Sequence, residues 1–338
     1  VPAGWKAFRY RLESFAVTTL TIIVPLLPRI GCYYAAQIFG ALAAYVDRRG
    51  RNVALANLSC AFAEMSLRER ERIVRQSYQH FARSMIDLFW SPRLTKKNFS
   101  RYIEFANVEQ WRASMGPRDS YIVACYHYSN FEWLSLGAGF LGYNSSIIAQ
   151  EFKNPLLDPI FKRLREISGH TIVAREGGAA RLFRNLKRNG RVAILADLTI
   201  PAKSPAVAID CFGLKTCVTY VHAWLHERTG IPIIPAHCEP LSRGRYRIVF
   251  HPAIEVRDTS DYAQIAQACW DAFEPHVRAN PAPWLWMYKH WRYRPGTEPR
   301  DRYPFYANFS EDFEQRLKES GFPAVVRENS AAASQPSY

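Results

Sequence analysis

Uncharged stretches come first along this chain, then one long helical period, then short apolar runs alternating with amphipathic ones. Ser14 to Pro28 carries no charge, and neither does Ile30 to Val46. Both fall short of the roughly 20 residues that a straight membrane-crossing helix needs. Pro25 and Pro28 predict a bend rather than one rod. Over residues 64–90, Leu67, Val74, Tyr78, Phe81, Met85 and Leu88 recur at helical spacing behind a Ser66/Glu69 capping box. Arg68, Arg70, Arg72, Arg75 and Arg83 form the opposite, solvated face. Beyond residue 100 the pattern predicts strands at 121–126, 146–148, 171–174, 191–196, 231–236 and 245–251. Helices are predicted between them at 130–142, 155–168, 178–189, 218–229 and 261–278. Such alternation defines an α/β fold with a mostly parallel sheet flanked by helices. Four regions are expected: a membrane-anchoring helical segment over 1–50, a helical linker or packing region over 51–100, the α/β domain over 101–305, and a C-terminal helix with a disordered tail over 306–338.

Charge narrows the partners. The formal net charge is +14, which suits nucleic acid, an anionic membrane or an acidic protein. Zinc-finger spacing and RNP-like aromatic runs are both missing, so nucleic acid is not expected. Over residues 1–60 seven basic residues stand against Glu13 and Asp47, and they bracket the apolar stretch. That arrangement suits a cytoplasmic-side anchor in an anionic leaflet. Two buried core helices are the alternative. The seven cysteines are scattered, odd in number and without a C-x-x-C pair, as in a reduced, cytosol-facing domain. The nine histidines do not cluster in sequence; His222 and His226 are four apart but lack a clear third ligand. No metal and no cofactor are expected.

The chemistry concentrates at His127-Tyr-Ser-Asn-Phe-Glu132, directly after the apolar run 121–126. An imidazole oriented by a carboxylate takes a proton from a hydroxyl as that hydroxyl attacks an acyl carbonyl. Five positions on one helix would set the two side chains roughly 140° apart. The pair therefore requires His127 on the loop leaving a strand and Glu132 in the first turn of a helix capped by Ser129 or Asn130. The same four residues, Ser129 to Glu132, also spell a capping box, in which Glu132 reaches back to a backbone N–H.

With these elements placed, the chain resembles the lysophospholipid-acyltransferase-like superfamily, and within it the late acyltransferases of bacterial lipid A biosynthesis (the lauroyl/myristoyl type). Four ordered blocks carry the resemblance. They are His127 to Trp133, similar to that family's H-x4-D/E motif; Asn154-Pro-Leu-Leu-Asp158 through Arg165 to Gly169-His-Thr-Ile-Val-Ala-Arg175; Val192-Ala-Ile-Leu-Ala-Asp197 with Cys211-Phe-Gly213; and Gly230-Ile-Pro-Ile-Ile-Pro235 with Trp284-Leu-Trp-Met-Tyr-Lys-His-Trp-Arg-Tyr-Arg-Pro295. The N-terminal apolar segment and Arg51-Asn-Val-Ala-Leu-Ala-Asn-Leu58 also look like the family, so the likeness spans roughly residues 10–296. Three departures stand out. Leu198 occupies a position usually held by glutamine, Ala208-Ile-Asp-Cys-Phe-Gly213 replaces a more aromatic stretch, and Ala149-Gln-Glu-Phe152 lacks an expected arginine. They fall where an acceptor would bind.

The resemblance implies direct transfer of a fatty acyl group from a thioester to a hydroxyl of a lipid or glycolipid, lipid A-like, without a covalent intermediate. His127 is then the general base, and Glu132 fixes its tautomer. Arg165 and Arg175 are anion-binding candidates, Asn130 belongs to the same substrate-facing motif, and Asp197 positions the acceptor or an active-site loop. Cys125 lies in an apolar strand and is expected to be a buried small hydrophobe. Acyl carrier protein is the favoured donor and acyl-coenzyme A the other. The implied site of action is the cytoplasmic face of a bacterial inner membrane. The Trp284–Trp291 segment is expected to be structural, near the membrane or as core packing with its cations turned outward. Alternatives are another lipid or secondary-metabolite acceptor, a non-catalytic lipid-binding protein on the same fold, and a hydrolase of acyl thioesters.

Overall fold

A computed structural model of the chain describes residues 3–115 and 119–321. The tail from Asn329 lies outside the described residues. Four helices open the chain: α1 Ala3–Ile23, α2 Arg29–Val46, α3 Arg48–Ala61 and α4 Leu67–Trp90. Pro25 sits in a 3-10 turn and Pro28 caps α2, so the expected bend is there. Among the described residues no helix is long and apolar enough to cross a membrane. The Ser66/Glu69 capping box starts α4 as its sequence predicts. Its faces differ from expectation, however. Leu67 and Phe81 are exposed, whereas Arg83 is buried with its guanidinium over the Tyr33 ring of α2.

The alternating region follows as β1 Ile103–Ala106, α5 Val108–Ser114, β2 Ile122–Cys125, α6 Phe131–Phe140, β3 Ser146–Ala149, α7 Asp158–Glu166, β4 Thr171–Ala174, α8 Gly178–Lys187 and β5 Val192–Leu195. Then come β6 Ala206–Cys211, β7 Leu214–Thr219, α9 Val221–Thr229, β8 Ile233–Pro240, β9 Tyr246–Phe250, α10 Tyr262–Ala279, β10 Tyr293–Arg294, β11 Asn308–Phe309 and α11 Glu311–Glu319. Seven strands form one sheet in the order β1-β9-β8-β2-β5-β3-β4. Every pairing in it is parallel except β8 with β9. The fold is thus the mixed α/β type with a mostly parallel sheet flanked by helices.

Burial explains the sequence of β2. All four of its residues are buried, as befits a central strand covered on both faces, and they are continuously apolar. The β6–β7 hairpin stands apart from the main sheet. Phe212 and Gly213 form its tight turn with φ of 56° and 79°, the positive pair such a turn needs. A phenylalanine is strained there, but its ring packs among Trp270, Trp284 and Trp286, which offsets the cost.

Candidate active site

Strand register explains why two residues seventy positions apart meet. In the parallel pair β2–β5, Cys125 stands opposite Leu195. Two residues further on, past the carboxyl ends of both strands, His127 and Asp197 come abreast. Such ends are where sheets of this kind build their sites. His127 Nδ1 lies 2.8 Å from Asp197 Oδ1, and the His127 backbone N–H donates to Oδ2 at 2.8 Å. Trp284 Nε1 donates to the same Oδ2 at 2.9 Å. Burial alone would raise the Asp197 pKa; the His127 ring, the Trp284 indole and the nearby His290 outweigh it, and the group is held below its ordinary value. The carboxylate is therefore ionised, and Nδ1 of a neutral His127 carries the proton. The Nε2 lone pair remains for chemistry.

The expected pairing of His127 with Glu132 is corrected here. Among the described residues the ion pair of Glu132 runs to Arg165: Nε donates to Oε2 at 3.0 Å and Nη2 to Oε1 at 2.6 Å. This two-pronged geometry suits a guanidinium. Burial works against the Arg165 charge, and Glu132 more than restores it. Glu132 lies in the first turn of α6 and Arg165 near the end of α7, so the pair clamps these helices together. Glu132 does not close a capping box either. The cap of α6 is Asn130, whose side chain accepts from Trp133 N at 3.0 Å.

Asn130 is also corrected. It is fully buried and donates to Asp87 Oδ2 at 2.8 Å, so it cannot face a substrate. Asp87 is a hub. Arg29 of α2 meets both of its oxygens, Tyr246 Oη donates at 2.6 Å, and Trp133 Nε1 donates to its backbone carbonyl at 3.0 Å. Between His127 and Asn130, Ser129 takes φ of 52°, an uncommon conformation for a non-glycine residue. Two bonds hold it there: Ser129 N to Pro283 O at 2.9 Å and Ser84 Oγ to Ser129 O at 2.7 Å. The loop that presents His127 is thus fixed from both sides.

The remaining candidates are placed as follows. Arg165 lines a cleft of about 370 Å³ beside the carboxyl ends of β3 and β4, together with Phe152, Phe161, Lys162, Ile172 and Arg181. Arg175 is exposed just after β4, and its charge reaches Tyr288. Cys125 is buried, and burial pushes its thiol up to about 12, which removes it as a nucleophile. Trp284, Trp286 and Trp291 are all fully buried, so this segment is core. Asn57 of the Arg51–Leu58 block ties that core to α3, donating to the carbonyls of Trp286 at 2.8 Å and Tyr288 at 2.7 Å. Sequence reasoning missed the bond from Trp284 to Asp197 and the whole Asp87 hub. Asp87 gave no signal beyond being the one acid in the second half of α4.

A histidine held by a buried carboxylate at the carboxyl ends of a largely parallel sheet has the arrangement that general-base chemistry on a hydroxyl or water requires. The chain belongs to the bacterial lipid A biosynthesis acyltransferase family, whose sequence model matches residues 5–293. It is accordingly a lipid acyltransferase. No curated protein matches the chain.

Proposed function

We propose that the protein moves a fatty acyl group from a thioester donor, acyl carrier protein, to a hydroxyl of a lipid A-like acceptor at the cytoplasmic face of a bacterial inner membrane. The observation that carries this reading is the His127–Asp197 contact, which leaves Nε2 as the basic nitrogen. Nε2 takes the hydroxyl proton while the oxygen attacks the thioester carbonyl. Collapse of the tetrahedral adduct breaks the carbon–sulfur bond, and the imidazolium returns the proton to the departing thiolate. An ester and a free thiol result. Asp197 stabilises the imidazolium between these steps. Glu132 orients Arg165, whose guanidinium faces the cleft as a donor for phosphate or the developing oxyanion. Lys162, Arg175 and Arg181 add positive charge for an anionic acceptor.

Membrane attachment is supported by a stripe of exposed apolar side chains. Trp5, Phe8, Leu12 and Phe15 follow one another at helical spacing on α1, and Tyr34, Ile38, Leu42 and Tyr45 on α2. Lys6, Arg9 and Arg11 lie alongside. Such a face suits a helix lying in the interface of an anionic leaflet.

The test uses the full chain in neutral detergent micelles with carrier-bound and coenzyme A-bound donors. His127→Ala is expected to lower transfer by at least about 10²–10⁴ with the melting temperature preserved. The KM for carrier-bound donor should rise with salt while kcat holds, because an acidic carrier would be steered by the basic surface. Near-normal turnover by His127→Ala would refute the mechanism. Equal salt response with both donors would refute the carrier.

A further inference from the structure

A second cluster of reactive side chains lies behind the catalytic loop, and the reaction does not use it. In the antiparallel pair β8–β9, His237 stands opposite Val249. His251, two residues beyond Val249, is therefore the diagonal neighbour of His237 on the same sheet face. Glu239, two residues along β8, shares that face too. The last turn of α10 then lays His276 over them. One nitrogen from each of the three imidazoles lies within 4.8 Å of the other two. His237 Nδ1 lies 2.9 Å from His251 Nε2. Glu239 Oε1 stands 3.5 Å from His237 Nε2 and 3.9 Å from His276 Nδ1.

We propose that His237, His251 and His276 bind a divalent transition-metal ion, Zn²⁺ by preference, with Glu239 as its carboxylate ligand or as the acceptor that orients the rings. Three imidazoles and one carboxylate are a nitrogen-rich set that suits zinc and its neighbours and does not suit calcium or magnesium. One further observation points to a ligand. His237 is fully buried, yet its Nε2 reaches no hydrogen-bond partner, the Glu239 oxygen being too distant. Ligand atoms around tetrahedral zinc sit roughly 3.3 Å apart, so ring rotations of about 1 Å would close the set. His276 and Glu239 are about one-third exposed, which gives the ion a path from solvent.

The site's neighbours suggest what the metal does. The Tyr128 ring stands edge-on to His237, with centroids 5.8 Å apart. Tyr128 Oη donates to the Asn280 carbonyl at 2.8 Å, just past α10. A metal joining β8, β9 and α10 would brace the wall against which the residue after His127 is seated. Its role is structural.

The test is metal binding by the full purified chain, stripped with a chelator and titrated with Zn²⁺ against a chromophoric competitor. About one equivalent per chain is expected, with a rise in melting temperature. Affinity should fall at least about 100-fold in His251→Gln and in His276→Gln and stay unchanged in His226→Gln. Co²⁺ in place of Zn²⁺ should give visible d–d bands without thiolate charge transfer, which separates this site from the seven cysteines. Should one variant fail to fold, the other and the Co²⁺ spectrum decide. Substoichiometric binding, or equal affinity in the wild type and both variants, would leave only a hydrogen-bonded histidine pair and overturn the proposal. These readouts do not involve acyl transfer, so they stand or fall apart from the proposed reaction.

Discussion

Asp87 and Asp197 sit at opposite ends of the same four-residue loop, and both are buried carboxylates with both oxygens engaged. Asp87 meets a guanidinium, a tyrosine hydroxyl and the Asn130 amide. Asp197 meets an imidazole, an indole and a backbone N–H. Burial and saturation are common to both, so neither property marks a reactive centre. The partner does. Arg29 never releases its proton, and the first centre can only hold helices together. An imidazole can both accept and return a proton within one reaction, and the second centre is therefore the one proposed for proton transfer.

Asp197→Asn should separate these roles most sharply. Oδ2 already accepts two N–H bonds, so the amide would keep its oxygen there and turn its NH₂ toward His127 Nδ1. The ring must then accept at Nδ1 and carry its proton on Nε2, the wrong tautomer for a base. We expect kcat to fall by on the order of 10³–10⁴ with KM and melting temperature little changed. A loss confined to KM would mean that Asp197 acts on the acceptor and not on His127.

The corresponding change at the other centre should spare chemistry and damage the fold. Asp87→Asn leaves Arg29 buried without its counter-charge, at a cost of about 3–5 kcal/mol. Denaturant unfolding in detergent measures this. An unaltered unfolding midpoint with lost activity would reverse the assignment of the two centres.

Acid should expose a third effect, set chiefly by burial. Burial lowers the pKa of His222 and of His290 to about 4. In the unfolded chain both titrate near 6.5 and take up protons that the folded state refuses. Stability present above pH 6.5 is therefore lost as pH falls through about 4, and melting temperature should decline over that window. Asp197, held below its ordinary value, adds its own loss only under still more acidic conditions. A flat melting profile from pH 7 to 4.5 would contradict the burial of these rings.

The smallest effect belongs to Asn130→Ala, which removes a helix cap and one donor to Asp87. About 1–2 kcal/mol of stability is expected to go, with kcat reduced less than in Asp197→Asn. A larger catalytic than structural effect would return Asn130 to the substrate side.

Signals carried by neighbouring residues were legible in the sequence. The apolar run at 121–126, the prolines at 25 and 28 and the Ser66/Glu69 box each act over a few positions, and the structure agrees with each. His127 was found because it follows a strand. Its partner was misassigned because Glu132 is five residues away and visible, whereas Asp197 is brought in only by the β2–β5 register. The same limit hid the three histidines, which are 14 and 25 residues apart and meet across two strands and a helix. Strand β1 escaped notice because Ile103-Glu-Phe-Ala106 is four residues long and one of them is charged. The β6–β7 hairpin escaped because its turn uses Phe212 where glycine or asparagine is the usual signal.

Arg29 belongs to the greasy N-terminal helices, yet its guanidinium ends on the carboxylate that also fixes the cap of α6. Asn154 makes a similar tie, donating to the Tyr10 carbonyl at 2.9 Å and to Glu13 at 3.0 Å. Trimming the first 46 residues to obtain a better-behaved preparation would therefore not simply shorten the protein. It would strand Asp87 as an uncompensated charge next to the loop of His127. Attempts at crystallisation or assay of such a truncated chain would be working with a damaged enzyme, and its poor activity would say nothing about the need for a lipid surface. A fair comparison keeps every residue and alters only the outward-facing stripe, for example Phe8→Ser with Phe15→Ser, so that surface affinity changes while the inner anchor stays whole.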